Sequence, residues 1–221
     1  MAQRKNNILG PVSGKIGNLL FRQRYGKEVV YHMPETYKIS YSASAVKSRA
    51  KFGNTVKLAR LINSNEKLHS IWANSTVKGV NPYQKIIKLN SKYTAHKGLT
   101  MQNILVPPGV PITNPTLTVD KESLLLDVSI FEVIKFDKLE AILLISNSNN
   151  VINSIIHSVN AKISGTKLFG SFHFDKSLSL IFQQNECTII LCTFIFKNSN
   201  VIPLAWTNTI PFEFGKNTKH N

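Results

Sequence analysis

Segment 14–34, GKIGNLLFRQRYGKEVVYHMP, carries the residues best suited to chemistry, three cations and a tyrosine beside a turn. Guanidinium groups bind phosphate oxygens through paired hydrogen bonds, and an aromatic ring can stack on a nucleobase. Arg22, Arg24, Lys27 and Tyr31 could therefore contact a nucleic acid. Cations near a hairpin tip have a second explanation, because their repulsion prevents aggregation through strand edges. The sequence leaves both explanations open.

The charge distribution favours an acidic partner. The chain of 221 residues has a net charge of +15. Residues 1–100 contain 18 Lys and Arg against three Glu, whereas residues 101–221 contain nine cations and nine acidic residues. Such an asymmetry indicates a polyanion, although a solubilising surface would also explain it. The complete candidate polyanion-binding set is Arg22, Arg24, Lys27, Tyr31, Lys15, Arg49, Lys51 and Arg60.

No combination of residues in the sequence indicates catalysis. The six histidines are scattered without metal-ligand spacing, and the acidic residues form no pair suited to acid–base chemistry. Cys187 and Cys192 have an odd separation, so on one strand they would face opposite sides and could not pair. GPVSGKIG resembles a phosphate-binding loop only superficially, because Ile16 follows the lysine where Ser or Thr is required. We expect a non-enzymatic protein without a cofactor or metal.

Residues 16–33 predict the β-hairpin that must position the candidate side chains. With Tyr25-Gly26 as a two-residue turn, Gly26 supplies the positive φ and Arg24 lies opposite Lys27. One face then contains Leu20, Arg22, Arg24, Lys27, Val29 and Tyr31. The other face, with most of the apolar side chains, is expected to pack inward. A loop one residue longer or shorter would exchange the two faces.

Three helices are predicted after the hairpin. Ser42 is a suitable N-cap for a helix over about 43–63, whose apolar stripe is expected to include Phe52 and Val56. A short helix is predicted over Glu66–Ala73. Asn81-Pro82 has the N-cap and first-turn proline that begin a third helix. Its lysines, Lys85 among them, are expected on the solvent side.

The composition changes after residue 93. The segment ILVPPGVPITNP excludes a helix and predicts a proline-rich linker. About seven short strand-like runs follow, a pattern typical of an immunoglobulin-like sandwich. The predicted fold class is α+β, with an N-terminal β-hairpin plus helices and a C-terminal immunoglobulin-like β-sandwich. The predicted parts are a basic hairpin-and-helix module (1–93), a proline-rich linker (94–116) and a β-sandwich domain (117–221).

The strand-like runs and their core define the sandwich prediction. The runs are 123–130, 138–146, 151–159, 167–174, 178–183, 187–196 and 201–207. The apolar side chains expected in the strand core are Leu126, Val128, Leu143, Ile145, Ile189, Leu191, Phe194 and Phe196. The Cys–Trp–Cys framework of true immunoglobulin domains is absent from the sequence. Only the architecture of that fold is therefore predicted.

Three segments resemble a family of Bacteroidota proteins of unknown function. They are ILGPVSGKIGNLLFRQRYGKEVVYHMP, SRAKFGNTVKLARLI and GVNPYQKIIKLN, all within residues 9–92. Members of that family open with a GxxSGKxG hairpin, continue with helices and end in a β-rich domain, so the resemblance implies the same order of parts. His32-Met33-Pro34 departs from the family, which has a basic residue before this proline, so no charge role is carried over there. The resemblance implies no activity.

Together these features predict a non-enzymatic binding or structural protein whose basic module contacts a polyanion, with nucleic acid favoured, largely independently of base sequence. The alternative is a self-assembling surface, filament or virion subunit in which the hairpin contacts a neighbouring subunit, and a homo-oligomer fits either function. The N-terminus lacks an apolar region of signal-peptide length, and no apolar run is long enough to span a membrane. We expect a cytoplasmic protein, with non-Sec export and virion association as alternatives.

Overall fold

The computed structural model divides the chain into two compact units, residues 1–42 and 43–221. It describes residues 2–3, 13–33, 36, 39–119, 123–147, 155–174, 180, 188–198 and 204–214. The first unit is a small β-sheet, and the second combines three helices with a large antiparallel sheet. The predicted α+β class is therefore confirmed.

The first unit is a four-stranded antiparallel sheet in the order β1-β4-β3-β2. Its strands are β1 (Ala2–Gln3), β2 (Gly14–Ile16), β3 (Leu19–Arg24) and β4 (Lys27–His32). Tyr25 and Gly26 join β3 to β4 with φ values of 54° and 71°. Positive φ at both central residues is the property of a type I′ turn, whose twist suits two strands. Arg24 pairs with Lys27 and Arg22 with Val29, so the predicted register is confirmed.

Three helices begin the second unit, each close to its predicted position. They are α1 (Ala43–Ser64), α2 (Glu66–Ala73) and α3 (Pro82–Asn90). The Asn65 side chain accepts a hydrogen bond from the Leu68 N–H at 3.1 Å and caps α2. The Asn81 side chain accepts one from the Gln84 N–H at 2.9 Å and caps α3 ahead of Pro82. These caps satisfy N–H groups that a helix leaves without an internal partner.

The large sheet has the order β11-β10-β7-β8-β9-β6-β5, and β12 also pairs with β10. Its strands are β5 (Ile112–Val119), β6 (Ser123–Ile130), β7 (Lys138–Asn147), β8 (Ile155–Ser164), β9 (Lys167–His173), β10 (Thr188–Lys197), β11 (Ala205–Trp206) and β12 (Ile210–Phe214). All of its neighbouring strands are antiparallel. The run predicted at 178–183 lies outside the described residues except for residue 180. The run predicted at 187–196 matches β10 to within one residue at each end.

Strands β7 and β10 are covered on both faces, because alternate side chains enter two different hydrophobic clusters. Leu143 and Phe194 belong to a cluster inside the curl of the sheet, with residues of β6, β8 and β9. Leu144 and Leu191 belong to the other cluster, with Trp72 and further residues of the three helices. A strand covered on both faces is apolar throughout rather than alternating. Every side chain expected in the strand core is buried.

The immunoglobulin-like sandwich is not confirmed. An immunoglobulin domain has two separate sheets packed face to face. Here the hydrogen-bonded path runs without interruption from β10 through β7, β8, β9 and β6 to β5, so a single curled sheet encloses the inner cluster. The helices cover the outer face of β7 and β10. The sequence pattern of short strands fits both arrangements, and the strand pairing distinguishes them.

The proline-rich segment is packed into the second unit instead of forming an exposed linker. Leu105 and Val106 are fully or almost fully buried. The Leu105 carbonyl accepts a hydrogen bond from the indole N–H of Trp72 at 3.0 Å, and the Leu105 N–H donates to the Thr209 hydroxyl at 2.9 Å. Trp206 donates its indole N–H to the Pro107 carbonyl at 2.8 Å. The boundary at 42/43 therefore differs from the predicted boundaries at 93/94 and 116/117, because the helices share a core with the strands.

Two helix faces differ from their prediction. Phe52 is 59% exposed, and the buried stripe of α1 consists of Thr55, Leu58, Ala59 and Ile62. Lys85 was expected on the solvent side but is buried. Helical periodicity identifies stripes, but the neighbouring elements decide which stripe is covered. No helix among the described residues is long and apolar enough to cross a membrane.

Candidate nucleic-acid interface

The register of the first unit gathers five of the eight candidate residues on one face of its sheet. Residues directly opposite each other in antiparallel strands point to the same side. Lys15 of β2 lies opposite Leu20, which lies opposite Tyr31. Arg22 lies opposite Val29 one row further toward the turn, and Arg24 and Lys27 form the last row. The cationic face is defined here as Lys15, Leu20, Arg22, Arg24, Lys27, Val29 and Tyr31.

The cationic face has charges that reach solvent around a partly buried apolar centre. Lys15, Arg22, Arg24 and Lys27 are exposed, Tyr31 is half-buried and Val29 is 7% exposed. Arg22, Gln23, Arg24, Val29 and Tyr31 line a depression of about 480 Å³. A ligand in this depression would contact two guanidinium groups, an aromatic ring and a valine side chain. The face therefore offers both charge and apolar surface.

The charges of this face are not neutralised by the described residues. None of its four cations forms an ion pair within the described ranges. Glu28, the acidic residue of this hairpin, lies opposite Gln23 on the other side of the sheet. Cations that share one face of a small sheet repel one another, and an anion that binds among them reduces that repulsion. The electrostatics of the face thus favour an anionic ligand.

Tyr25 is a site residue that the sequence reasoning missed. Its side chain is 61% exposed at the tip of the hairpin, and the Arg24 guanidinium lies 5.9 Å from the centre of its ring. This distance is within the range of a cation–π contact. The feature of the sequence that could have identified it is its residue type. A tyrosine occupies a turn position with positive φ, where Asn or Gly is usual. The tip therefore adds a second aromatic ring next to the cations.

The opposite side of the sheet, with Ile16, Leu19, Phe21 and Val30, is called the apolar face. Ile16 is 65% exposed and Leu19 is 42% exposed. The expectation that this side packs inward is wrong for Leu19, and the buried Val29 belongs to the cationic face. A sheet buries a face only when a second layer covers it. The described residues of the first unit contain no such layer.

The other three candidate residues lie on α1 in the second unit. Arg49 and Arg60 are exposed and lie on the same side of the helix, because eleven residues complete about three turns. Lys51 is half-buried, and its ammonium group donates a hydrogen bond to the Lys92 carbonyl at 3.5 Å. The structure therefore places two of these cations on one side of α1, about 16 Å apart along the helix axis, and the third on another side. The cationic face remains the densest group of candidate residues.

A second depression, of about 400 Å³, lies on the large sheet and has a different chemistry. It is lined by Thr116, Thr118, Leu125, Leu126, Asp127, Asn160, Lys162, Phe169, Gly170 and Ser171. Asp127 accompanies Lys162 in this lining, and Lys167 approaches Asp127 at 3.9 Å. The lining itself contains one acidic residue and one lysine, so it has no excess of positive charge for a polyanion. This depression is therefore not part of the candidate interface.

The described residues contain no group of three His, Cys, Asp or Glu side chains that could hold a metal ion. Cys192 is fully buried, and this burial raises the pKa of its thiol far above the ordinary value. A buried thiol with a raised pKa is a poor nucleophile, so Cys192 acts as a core side chain. Cys187 lies outside the described residues.

Comparison with models of known protein families gives no match to this chain, and comparison with curated proteins gives none either. The resemblance of residues 9–92 to the Bacteroidota family stays a prediction. The candidate interface is therefore defined by its own geometry.

Proposed function

We propose that the protein binds nucleic acid through the cationic face of its first unit, mainly by contacts to phosphates and largely independently of base sequence. The observation that carries this proposal is the common face of Lys15, Arg22, Arg24 and Lys27, all exposed. Phosphate contacts from Arg and Lys supply most of the affinity in sequence-independent binding. The excess of 15 positive charges in residues 1–100 supports the same conclusion.

The test replaces Arg22, Arg24 and Lys27 together by glutamine and measures the affinity for duplex DNA at several salt concentrations. Glutamine keeps a polar side chain and removes three charges. Each lost phosphate contact reduces the slope of log K against log salt by about 0.9, so the slope should flatten by about two to three. The stability of the fold should change little, since exposed charges contribute about 0.5 kcal/mol or less each.

The matched control replaces Lys78, Lys97 and Lys197 by glutamine. These lysines are exposed, carry the same total charge and lie in the second unit. We expect the salt slope of the control to equal that of the unmodified protein. Equal slopes in both triple variants would refute the cationic face as the interface, since net charge alone would then account for the binding.

The second candidate function is self-assembly, and the apolar face is the observation that favours it. Exposed Ile16 and Leu19 would lose water contact in a subunit interface, which is favourable at about 25 cal/mol per Å² of apolar area. If self-assembly is the function, the protein should bind no nucleic acid even at low salt. It should also form oligomers whose size depends on protein concentration. Replacing Ile16 and Leu19 by glutamine should dissociate those oligomers in sedimentation velocity experiments. Oligomers that persist in this variant would contradict the second candidate.

A further inference from the structure

We infer that the cationic face takes a single-stranded nucleic acid and holds one unpaired base in the depression beside Tyr31. This inference rests on the proposed function and adds the strand state of the ligand. Its basis is the position of the apolar side chains. Leu20, Val29 and Tyr31 occupy the same face as the four cations, instead of the opposite side of the sheet.

The strand register shows how the charged and apolar side chains alternate across the cationic face. Tyr31 lies opposite Leu20, and Val29 lies opposite Arg22 in the next row. Arg22 is therefore a diagonal neighbour of Tyr31, a separation that long side chains span. Arg22 and Tyr31 both line the depression, together with Val29 at its apolar side. The flat base of a nucleotide in this space would contact Tyr31 and Val29. The phosphate of the same nucleotide would reach a guanidinium group.

The size of the depression suits this ligand. Its volume of about 480 Å³ lies within the range of about 300–1,000 Å³ that small-molecule sites have. A nucleobase with its sugar is a small molecule of that kind. Toward the turn, Lys27 lies four residues before Tyr31 on β4, a distance of about 13 Å, and Arg24 lies opposite Lys27 on β3. They can bind the phosphates of the neighbouring nucleotides.

A duplex would leave the apolar part of this face without a partner. In a duplex both faces of each base are stacked on other bases, and the backbone presents phosphates and sugars. Contact with the backbone alone would satisfy the cations but would leave the half-buried ring of Tyr31 uncovered. An unpaired base presents a π-face, and stacking of that face on an aromatic side chain is tolerant of base identity. The combination of cations with a half-buried tyrosine therefore favours a single strand.

A two-stranded ribbon can also enter the major groove of duplex DNA, so the experiment compares both ligands. The full-length protein is titrated into fluorescent oligo(dT) of 20 nucleotides and into a random duplex of 20 base pairs at the same salt concentration. We expect oligo(dT) to bind at least tenfold more tightly. A third ligand, a 20-unit strand of abasic sites, keeps the phosphates and lacks the bases. It should bind roughly fivefold or more weakly than oligo(dT), since stacking is lost.

Variants of Tyr31 test the residue itself. Tyr31→Leu removes the ring and should weaken oligo(dT) binding roughly fivefold to 100-fold, with an unchanged salt slope. Tyr31→Phe keeps the ring and should bind like the unmodified protein. Tyr41→Leu is the matched control, because Tyr41 is 80% exposed and lies outside the sheet. If Tyr31→Leu does not fold, the comparison of oligo(dT) with the abasic strand decides the question without any variant.

The outcomes separate this inference from the proposed function. Equal or tighter binding of the duplex, or equal binding of oligo(dT) and the abasic strand, overturns the single-strand inference and leaves the proposed function in place. Absence of binding to all three ligands at low salt overturns both.

Discussion

Lys85 shows how much one side chain can change the electrostatics of a helix end. Its ammonium group donates hydrogen bonds to the carbonyls of Trp72, Ala73 and Ser75 at 3.1, 2.8 and 2.9 Å. The first two carbonyls lie in the last turn of α2, where the helix leaves C=O groups without internal partners and carries partial negative charge. The positive charge of Lys85 is therefore placed where the helix needs a cation.

We expect Lys85→Met to destabilise the second unit by about 2–4 kcal/mol, because the apolar stem is retained but three buried or partly buried hydrogen bonds to the ammonium group are lost. The free energy of unfolding is measured by urea denaturation. Lys88→Met on the same helix is the control, since Lys88 is exposed and should change stability by about 0.5 kcal/mol or less. Equal effects of the two substitutions would show that the three hydrogen bonds do not stabilise the fold.

At the scale of elements, Glu140 connects the sheet to helix α2. The Lys67 ammonium group forms a salt bridge with the Glu140 carboxylate, and the Ser158 hydroxyl donates a hydrogen bond to it at 3.0 Å. Partial burial alone would raise the pKa of Glu140. The hydrogen bonds from Lys67 and Ser158 and the nearby positive charges of Lys67 and Lys138 outweigh burial and lower the pKa below its ordinary value of 4.5.

The lowered pKa of Glu140 determines how the stabilisation from the Lys67–Glu140 salt bridge depends on pH. A carboxyl group whose pKa is lower in the folded state stabilises the fold above its unfolded pKa and loses that effect as the pH falls through the folded pKa. Glu140→Gln should therefore reduce stability by up to about 1 kcal/mol at pH 7, because the pair is partly exposed to solvent. The difference from the unmodified protein should shrink below about pH 4.5. Thermal unfolding across this pH range measures it.

The control for that experiment is Glu132→Gln, because Glu132 is exposed and carries the same substitution. Its effect should be close to zero at every pH. If the difference in stability between Glu140→Gln and the unmodified protein stays constant down to pH 3, the contact of Glu140 with Lys67 does not stabilise the fold through charge.

Local signals explain which elements could be predicted from the sequence. The Tyr25-Gly26 turn and the Asn81 cap are decided by a few neighbouring residues, and both were predicted in place. The side of a helix that becomes buried depends on distant residues. Lys85 lies beside the end of α2, and the covered stripe of α1 meets strands about 80 or more residues away in the sequence. Periodicity contains no information about such partners.

The candidate site divides in the same way. The shared face of Arg22, Arg24, Lys27 and Tyr31 follows from one turn and was confirmed by the register. Lys15 was included for its charge alone, and only the pairing of β2 with β3 places it on that face. Tyr25 was missed because its residue type conflicts with the usual preference at its turn position.

At the scale of the whole molecule, the second unit folds around two clusters that no single part of it supplies. The helix-facing cluster contains Ile142, Leu144, Ile189, Leu191 and Ile195 from the sheet, together with buried residues of all three helices. The described residues that form the two clusters all lie within 43–221. The segment 43–221 therefore contains both cores, whereas 117–221 lacks the helical side of one.

We expect a fragment of residues 43–221 to unfold cooperatively on heating, and a fragment of residues 117–221 to lack a cooperative transition. The shorter fragment would expose the five sheet residues of the helix-facing cluster to water, which is unfavourable by several kcal/mol, at about 25 cal/mol per Å². Circular dichroism during heating measures both transitions. Dye binding to apolar surface should be strong only for the shorter fragment. A cooperative transition of 117–221 at the temperature of 43–221 would contradict this division.

The central place of β10 has a consequence for the time course of synthesis. Helix α3 ends at Asn90, and the strand that covers the helices together with β7 begins at Thr188, about 100 residues later. At a translation rate of about 5–20 residues per second, the helices leave the ribosome about 5–20 s before β10 is complete. Helices form within microseconds, so the three helices can form seconds before the strand that packs on them has been synthesised. During that interval Leu58, Ile62 and Trp72 have no complete sheet on which to pack.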